Sequence, residues 1–354
     1  MRGTDIVGSA QHETAPDRGR GVRLLQDTAL ALLLSLAMTA LSMALLRSPQ
    51  GTSIVNLPAG VTAGILILLP LHRWSAYLIV GAAGQFAYYA GLGLSIHVTA
   101  LRTLADVVAV VIYVLVIRRW RRPDFGLGAP LWIVVVAAFA SAVVREVPIA
   151  IVGLAGAPAD AVGQRSAALL VFVGSVVGIM CGSAVVLGLA RWREARDWSG
   201  WRSGIDLALL AGLAVALWLA FLTPAGANVP GAQYLVVAIM MVGAVRLPIP
   251  ISALVTALAT IGVASSANRG VGAFDRSGAA ALTDLLAAQA YLLVLVTSMF
   301  LLAATIDQRR RAQQAAARSG AVMQAMFEGS PVPSAWVRVH ADGRIQVREA
   351  NAAF

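Results

Sequence analysis

Apolar residues fall along this chain in long blocks, not in the alternating or one-sided patterns of a water-exposed fold. Ten blocks stand out, at about 24–46, 54–71, 74–92, 96–117, 131–153, 167–190, 204–222, 233–247, 249–267 and 280–306. A helix needs roughly 20 apolar residues to cross the hydrocarbon core of a bilayer. The eighth and ninth blocks are divided by Arg246 and by the Pro248-Ile249-Pro250 break. The pattern therefore predicts an all-α polytopic membrane bundle of about ten transmembrane helices.

The two ends of the chain have a different pattern. Residues 1–23 are polar and read as a disordered cytoplasmic tail. The apolar run after them is too long for the core of a cleavable signal peptide. After Ile306 the chain turns polar and helix-forming. Thr305, Gln308, Ala312, Ala315, Ser319, Val322 and Met326 recur at steps of three and four, the spacing of a coiled-coil seam. This makes 307–328 a helical linker, with homodimerisation through 305–326 as its functional reading. Gly329, Pro331 and Pro333 then break the helix. Ala335 to His340 and Arg344 to Arg348 read as strands around an Asp342-Gly343 turn, a strong hairpin signal. Asn351 is placed to cap a further helix beginning at Ala352. A lone hairpin is not independently stable, so the sequence is expected to stop inside a larger domain.

Composition agrees with the membrane reading. The 354 residues are 59% hydrophobic and 12% charged, with a mean hydropathy of +0.79. Ordinary water-soluble domains carry about 25% charged residues. Cys181 stands alone in an apolar run and cannot form an internal disulfide.

The net charge of +10 sets 27 arginines, with no lysine, against 17 acidic residues. With the N-terminus placed in the cytoplasm, 21 arginines fall inside, 4 outside and 2, Arg102 and Arg145, within the bilayer. That asymmetry follows the positive-inside rule and puts both termini in the cytoplasm. It also accounts for the basic charge without nucleic acid, which is not an expected partner. The lipid bilayer is.

Polar groups inside the spans are the best functional pointers, because an isolated charge at mid-bilayer costs several kcal/mol. Arg102 and Asp106 are four residues apart on one helix face. Arg145 and Glu146 lie within the fifth block at matching depth. The four could form one cluster, either to neutralise each other or to line a cavity for a small ligand. Gln85, Asn56, Asp284 and Gln289 are further candidates to face it. Gly60 and Gly64, and Gly174, Gly178 and Gly182, carry the spacing that lets helix backbones approach closely in lipid. No phosphate-binding loop, zinc-protease helix or nucleophile elbow occurs, and His12, His72, His97 and His340 are scattered. With no metal or catalytic constellation and no cofactor signature visible, the sequence does not read as an enzyme.

Three stretches resemble the first class of bacterial membrane-associated sensor (MASE-type) domains, over about residues 25–306. They are Asn56-Leu57-Pro58-Ala59-Gly60 leading to Arg73-Trp74 and Gly81; Gly174 to Gly182; and Tyr234 through Arg246 to Gly272-Ala273-Phe274. Leu57 stands where that family often has an aromatic residue. Phe327-Glu328-Gly329-Ser330-Pro331, Asp342-Gly343-Arg344-Ile345 and Asn351-Ala352-Ala353-Phe354 resemble, in order, the opening of a PAS domain.

The resemblance implies an integral-membrane sensor domain at 24–306, followed by the linker and by the start of an incomplete PAS domain at 329–354. It also implies a place in a bacterial plasma membrane and a fragment of a signalling protein. An unknown small-molecule or membrane-state signal would be relayed to a missing output domain, a histidine kinase or a cyclic-di-GMP enzyme. Any PAS ligand would be held by residues beyond those given. A secondary transporter or permease is the rival reading, since broken helices and buried charges fit that class too. A reporter enzyme active only in the cytoplasm, fused after Arg318, should be active; an inactive fusion would mean that the number of spans is odd.

Overall fold

The structure, a computed structural model, describes residues 33, 37–42, 55–91, 93–120, 131–156, 161–192, 204–224, 226, 229, 231–274, 281–332, 334–340, 345–351 and 353. The described part is almost wholly helical. Its helices are α1 (Leu57–Leu68), α2 (Trp74–Gly91), α3 (Ile96–Trp120), α4 (Leu131–Gly156), α5 (Ala161–Ala190), α6 (Gly204–Leu217), α7 (Ala232–Arg246), α8 (Ile249–Arg269) and α9 (Ala281–Glu328). Five stretches are long and apolar enough to cross a membrane: α3, Ala168–Ala190 of α5, Gly204–Leu222, α8 and Thr283–Glu328. Most of the first apolar block and the polar tail before it lie outside the described residues; residues 37–42 are helical.

Two expected spans are short. α1 has 12 residues, about 18 Å of helix against the roughly 30 Å of a hydrocarbon core. Proline sets its end: a residue before proline is driven out of the helical region, and Leu69, before Pro70, is extended at ψ 146°. The same device ends α7 after 15 residues, where Leu247 is extended before Pro248. Pro250 then sits in the first turn of α8, where its missing N–H is tolerated.

The first compact unit spans Met1–Phe300. Its inner element is α1, with Leu57 to Gly64, Leu66 and Ile67 buried. α2, α3 and α5 pack around it, α4 closes against α3 and α5, and α8 covers another face of α5. The glycines anticipated as contact points face each other. A Cβ on Gly182 would lie 2.7 Å from both Leu57 O and Val61 N, and one on Gly64 would lie 2.6 Å from Val186 Cβ. A Cβ on Gly178 would run into the backbone of Asn56. At this approach the Asn56 N–H donates to Gly174 O at 3.2 Å, across the two helices. Lipid gives apolar helices no hydrophobic reason to associate, so close backbone packing of this kind carries much of the contact.

The other end of α1 is held by polar groups. Leu69 O, an orphan carbonyl of the last turn, accepts from Arg118 Nη1 at 2.7 Å and from Trp74 Nε1 at 3.3 Å. The Arg118 guanidinium also lies 5.4 Å from the Trp74 ring centroid, a cation–π contact. Elsewhere Arg246 Nε donates to buried Asp206 at 3.0 Å. Each group joins residues expected on one membrane face.

The second unit is Leu301–Phe354, whereas the sequence suggested a boundary at Ile306. The heptad positions from Thr305 to Met326 are all exposed on the single chain. Strands β1 (Ala335–Val339) and β2 (Ile345–Ala350) form the expected antiparallel hairpin, with Val337 opposite Val347 and a bulge between Trp336 and Val337. Its Asp342-Gly343 turn lies outside the described residues. Asn351 does something the sequence did not suggest. Its Nδ2 donates to Ser330 O (3.1 Å) and Val332 O (2.8 Å), and its Oδ1 accepts from Ser334 N (3.0 Å). It ties the loop before β1; Ala352, where a helix was expected to begin, is outside the described residues.

Replacing Gly182 by valine should separate α1 from α5 and lower the detergent melting temperature by several degrees, since overpacking costs about 1–3 kcal/mol or more. Gly262→Ala is the control: nothing lies within 4 Å of a Cβ there. That variant should be neutral or gain up to about 1 kcal/mol of helix propensity.

Candidate functional site

Five elements bring polar side chains to one buried point. Asn56 precedes α1, Gln85 and Tyr89 come from α2, Arg102 and Asp106 from α3, Arg145 and Glu146 from α4, and Ser175 from α5. At 1.5 Å per residue, Asp106 lies about 15 Å from the start of α3 at Ile96. Arg145 lies about 16 Å from the end of α4 at Gly156. The depths agree because α4 is a few residues longer than its apolar block.

Arg145 is the hub. It is 6% exposed and Asp106 is 1% exposed. Its Nε forms the ion pair with Asp106 Oδ1. Nη1 donates to Glu146 Oε1 at 3.0 Å and to Ser175 Oγ. Nη2 donates to Tyr89 Oη at 2.6 Å. The Tyr89 hydroxyl donates in turn to Asp106 Oδ2, also at 2.6 Å. Ser175 donates back along its helix to Val171 O at 2.6 Å, with Glu146 Oε1 3.5 Å away. One guanidinium thus serves two carboxylates, a phenol and an alcohol.

Two amides complete the carboxylate's shell. Asn56 Nδ2 stands 3.5 Å from Asp106 Oδ1. Gln85 can donate to Asn56 Oδ1 at 3.4 Å in one amide orientation. The reverse orientation satisfies two buried groups at once: Nε2 donates to Asp106 Oδ2 at 3.3 Å, and Oε1 accepts from the Ala59 N–H at 3.1 Å. The second fits the surroundings better, because Ala59 is in the first turn of α1, whose N–H groups lack helical partners.

Arg102 departs from the expected pairing. It shares a helix face with Asp106 but makes no ion pair with it. Both oxygens of Asp106 are already engaged, Oδ1 by the Arg145 guanidinium and Oδ2 by the Tyr89 hydroxyl. Its guanidinium instead lies 5.8 Å from the Tyr89 ring centroid. Gln289 also falls elsewhere, donating to Leu170 O at 2.7 Å. Half-buried Asp284 takes no part in the network's bonds.

Sequence reading did not single out Tyr89 or Ser175. Tyr89 follows Gln85 by four residues, hence on the same face. Ser175 adjoins Gly174 in the run that meets α1. Both positions could have been found by asking what faces the candidate charges. Among the described residues no group of three His, Cys, Asp or Glu is arranged to hold a metal ion.

Comparison with family models, with curated proteins and with solved structures finds no match to this chain.

Arg145→Gln strands two carboxylates and should destabilise the bundle by about 3–5 kcal/mol, the usual result of breaking a buried pair from one side. Glu146→Gln, with the side chain at 13% exposure, should cost distinctly less. In an Arg145/Asp106 double-mutant cycle, a coupling of at least about 1 kcal/mol is expected; additive effects would show that the pair is not a unit.

Proposed function

We propose that this chain is the membrane-embedded sensory input part of a bacterial signalling protein, lying in the plasma membrane with both termini in the cytoplasm. The observation that carries this reading is α9. One continuous helix runs from an apolar, span-like stretch through a polar segment with an exposed heptad seam to Glu328, and a short antiparallel hairpin comes after it. Such a helix can hand a small rotation or shift from a bundle to a cytoplasmic module. A transporter has little use for it.

The reading also needs an element with two arrangements. The Arg145 guanidinium is shared between Asp106 on α3 and Glu146 on the following position of α4, so a redistribution of these bonds would move two helices against each other. A signal biases such a pair only through different affinity for the two states. The heptad face of 305–326 then supports homodimers, and the hairpin supports the PAS-like reading of 329–354. The resemblance to MASE-type sensors points the same way.

One observation favours the rival, a secondary transporter. α1 is a half-length helix whose first turn stands at the buried network, and half-helices of this kind form substrate sites in many transporters.

The two readings separate in one experiment. Residues 1–328 are fused to a cyclase output domain, and residues are inserted after Ile306. Each insertion rotates the downstream helix and its cargo by about 100°, and seven complete almost two turns. Output should change with one to four added residues and return with seven. Output indifferent to phase, together with solute uptake by proteoliposomes of the unfused chain, would overturn the sensor in favour of the transporter.

A further inference from the structure

The charges of the intramembrane network balance in number but not in position. Arg145 contacts both carboxylates. Among the described residues Arg102 has neither a hydrogen bond nor an ion pair, and its Nε is buried without an acceptor. Glu146 acts on it only through space, and that carboxylate is already held by Arg145 Nη1 and approached by Ser175. A cation this deep calls for hydration or a counter-ion. It is half-buried, so part of it remains reachable, and it begins only about 9 Å along α3 from Ile96.

Its surroundings also hold it still. The guanidinium lies over the Tyr89 ring, and that ring is pinned at its hydroxyl by Asp106 and Arg145, both at 2.6 Å. A fixed ring limits the orientations that the guanidinium adopts, which lowers the ordering cost of binding a partner. A planar guanidinium with free N–H groups matches the two oxygens of a carboxylate or phosphate, and far better than a spherical ion.

We infer that Arg102 is the recognition residue of an oxyanion site, built on the Tyr89 ring at the edge of the Arg145 network, for the carboxylate of a small organic acid or the phosphate of an anionic lipid. The inference rests on the network being where the bundle receives its signal. It adds the chemical class of what is received. Binding there would place a negative charge beside Tyr89 and Glu146, whose bonds to Arg145 it would then bias.

The test uses the full chain in nanodiscs of phosphatidylcholine alone. Sodium acetate is titrated against sodium chloride at equal ionic strength, and in a second arm phosphatidylglycerol replaces part of the lipid. Melting temperature is read by intrinsic fluorescence. A rise of about 3 °C or more at saturation, in either arm, is the expected result. The acetate arm identifies a free acid as the source and the lipid arm a headgroup. The rise should vanish in Arg102→Gln and need about tenfold more acetate in Arg102→Lys, which keeps the charge but loses the fork. No rise in either arm, or an equal rise in the variants, overturns the site. The phase-dependent output of the fusion does not depend on this ligand, so failure here leaves the sensor reading standing, whereas phase-blind output would remove it.

Discussion

A guanidinium buried among packed helices must be neutralised where it stands. Arg145, 6% exposed near the middle of α4, is that group. Removing a charge from water is costly, and only good geometry with further hydrogen bonds recovers the loss. Its three nitrogens reach Asp106 on α3, Tyr89 on α2, Ser175 on α5 and the neighbouring Glu146. Four helices are therefore tied to one side chain. Their rotation and depth are fixed together, because a turn of any of them would leave a buried polar atom without a partner.

That network depends in turn on how closely α1 approaches α5. The glycine seam brings the backbone of Asn56 within hydrogen-bonding distance of Gly174, one residue from Ser175. It also places the first turn of α1 against Gln85, whose amide bridges that turn to Asp106. Any larger residue at Gly178 or Gly182 would hold α1 away. The polar centre and the small-residue seam are thus two parts of one arrangement: one supplies direction, the other allows contact.

Some of this was legible in the chain itself. Helical blocks, the proline break at 248–250, the hairpin and the paired glycine spacings all arise from local rules that the surrounding fold does not override. The meeting of Asp106, Arg145 and Glu146 could be anticipated from depth, because charges in apolar spans have few places to go, whereas Arg102 lies over the Tyr89 ring instead. One span was overestimated, 54–71 against Leu57–Leu68, because apolar residues beside Pro70 look the same whether they continue a helix or end it. Asn351 was read as a cap for a helix whose first residue lies outside the described residues; what its type did not reveal is that its amide bonds the loop at 330–334.

By itself the sequence determined the class of the protein: a basic-edged, apolar chain that must satisfy its backbone within helices and bury its few charges together. That much depends on transfer free energies, which act on each segment separately. Tertiary structure alone decided which charge serves which. Asp106 takes its guanidinium from another helix rather than from Arg102 one turn away, since packing brings Arg145 and the Tyr89 hydroxyl onto its two oxygens. Tyr89 and Ser175 became part of the centre for the same reason: hydrogen bonding acts over about 3 Å, and only the packed bundle sets distances that short between residues far apart in the chain.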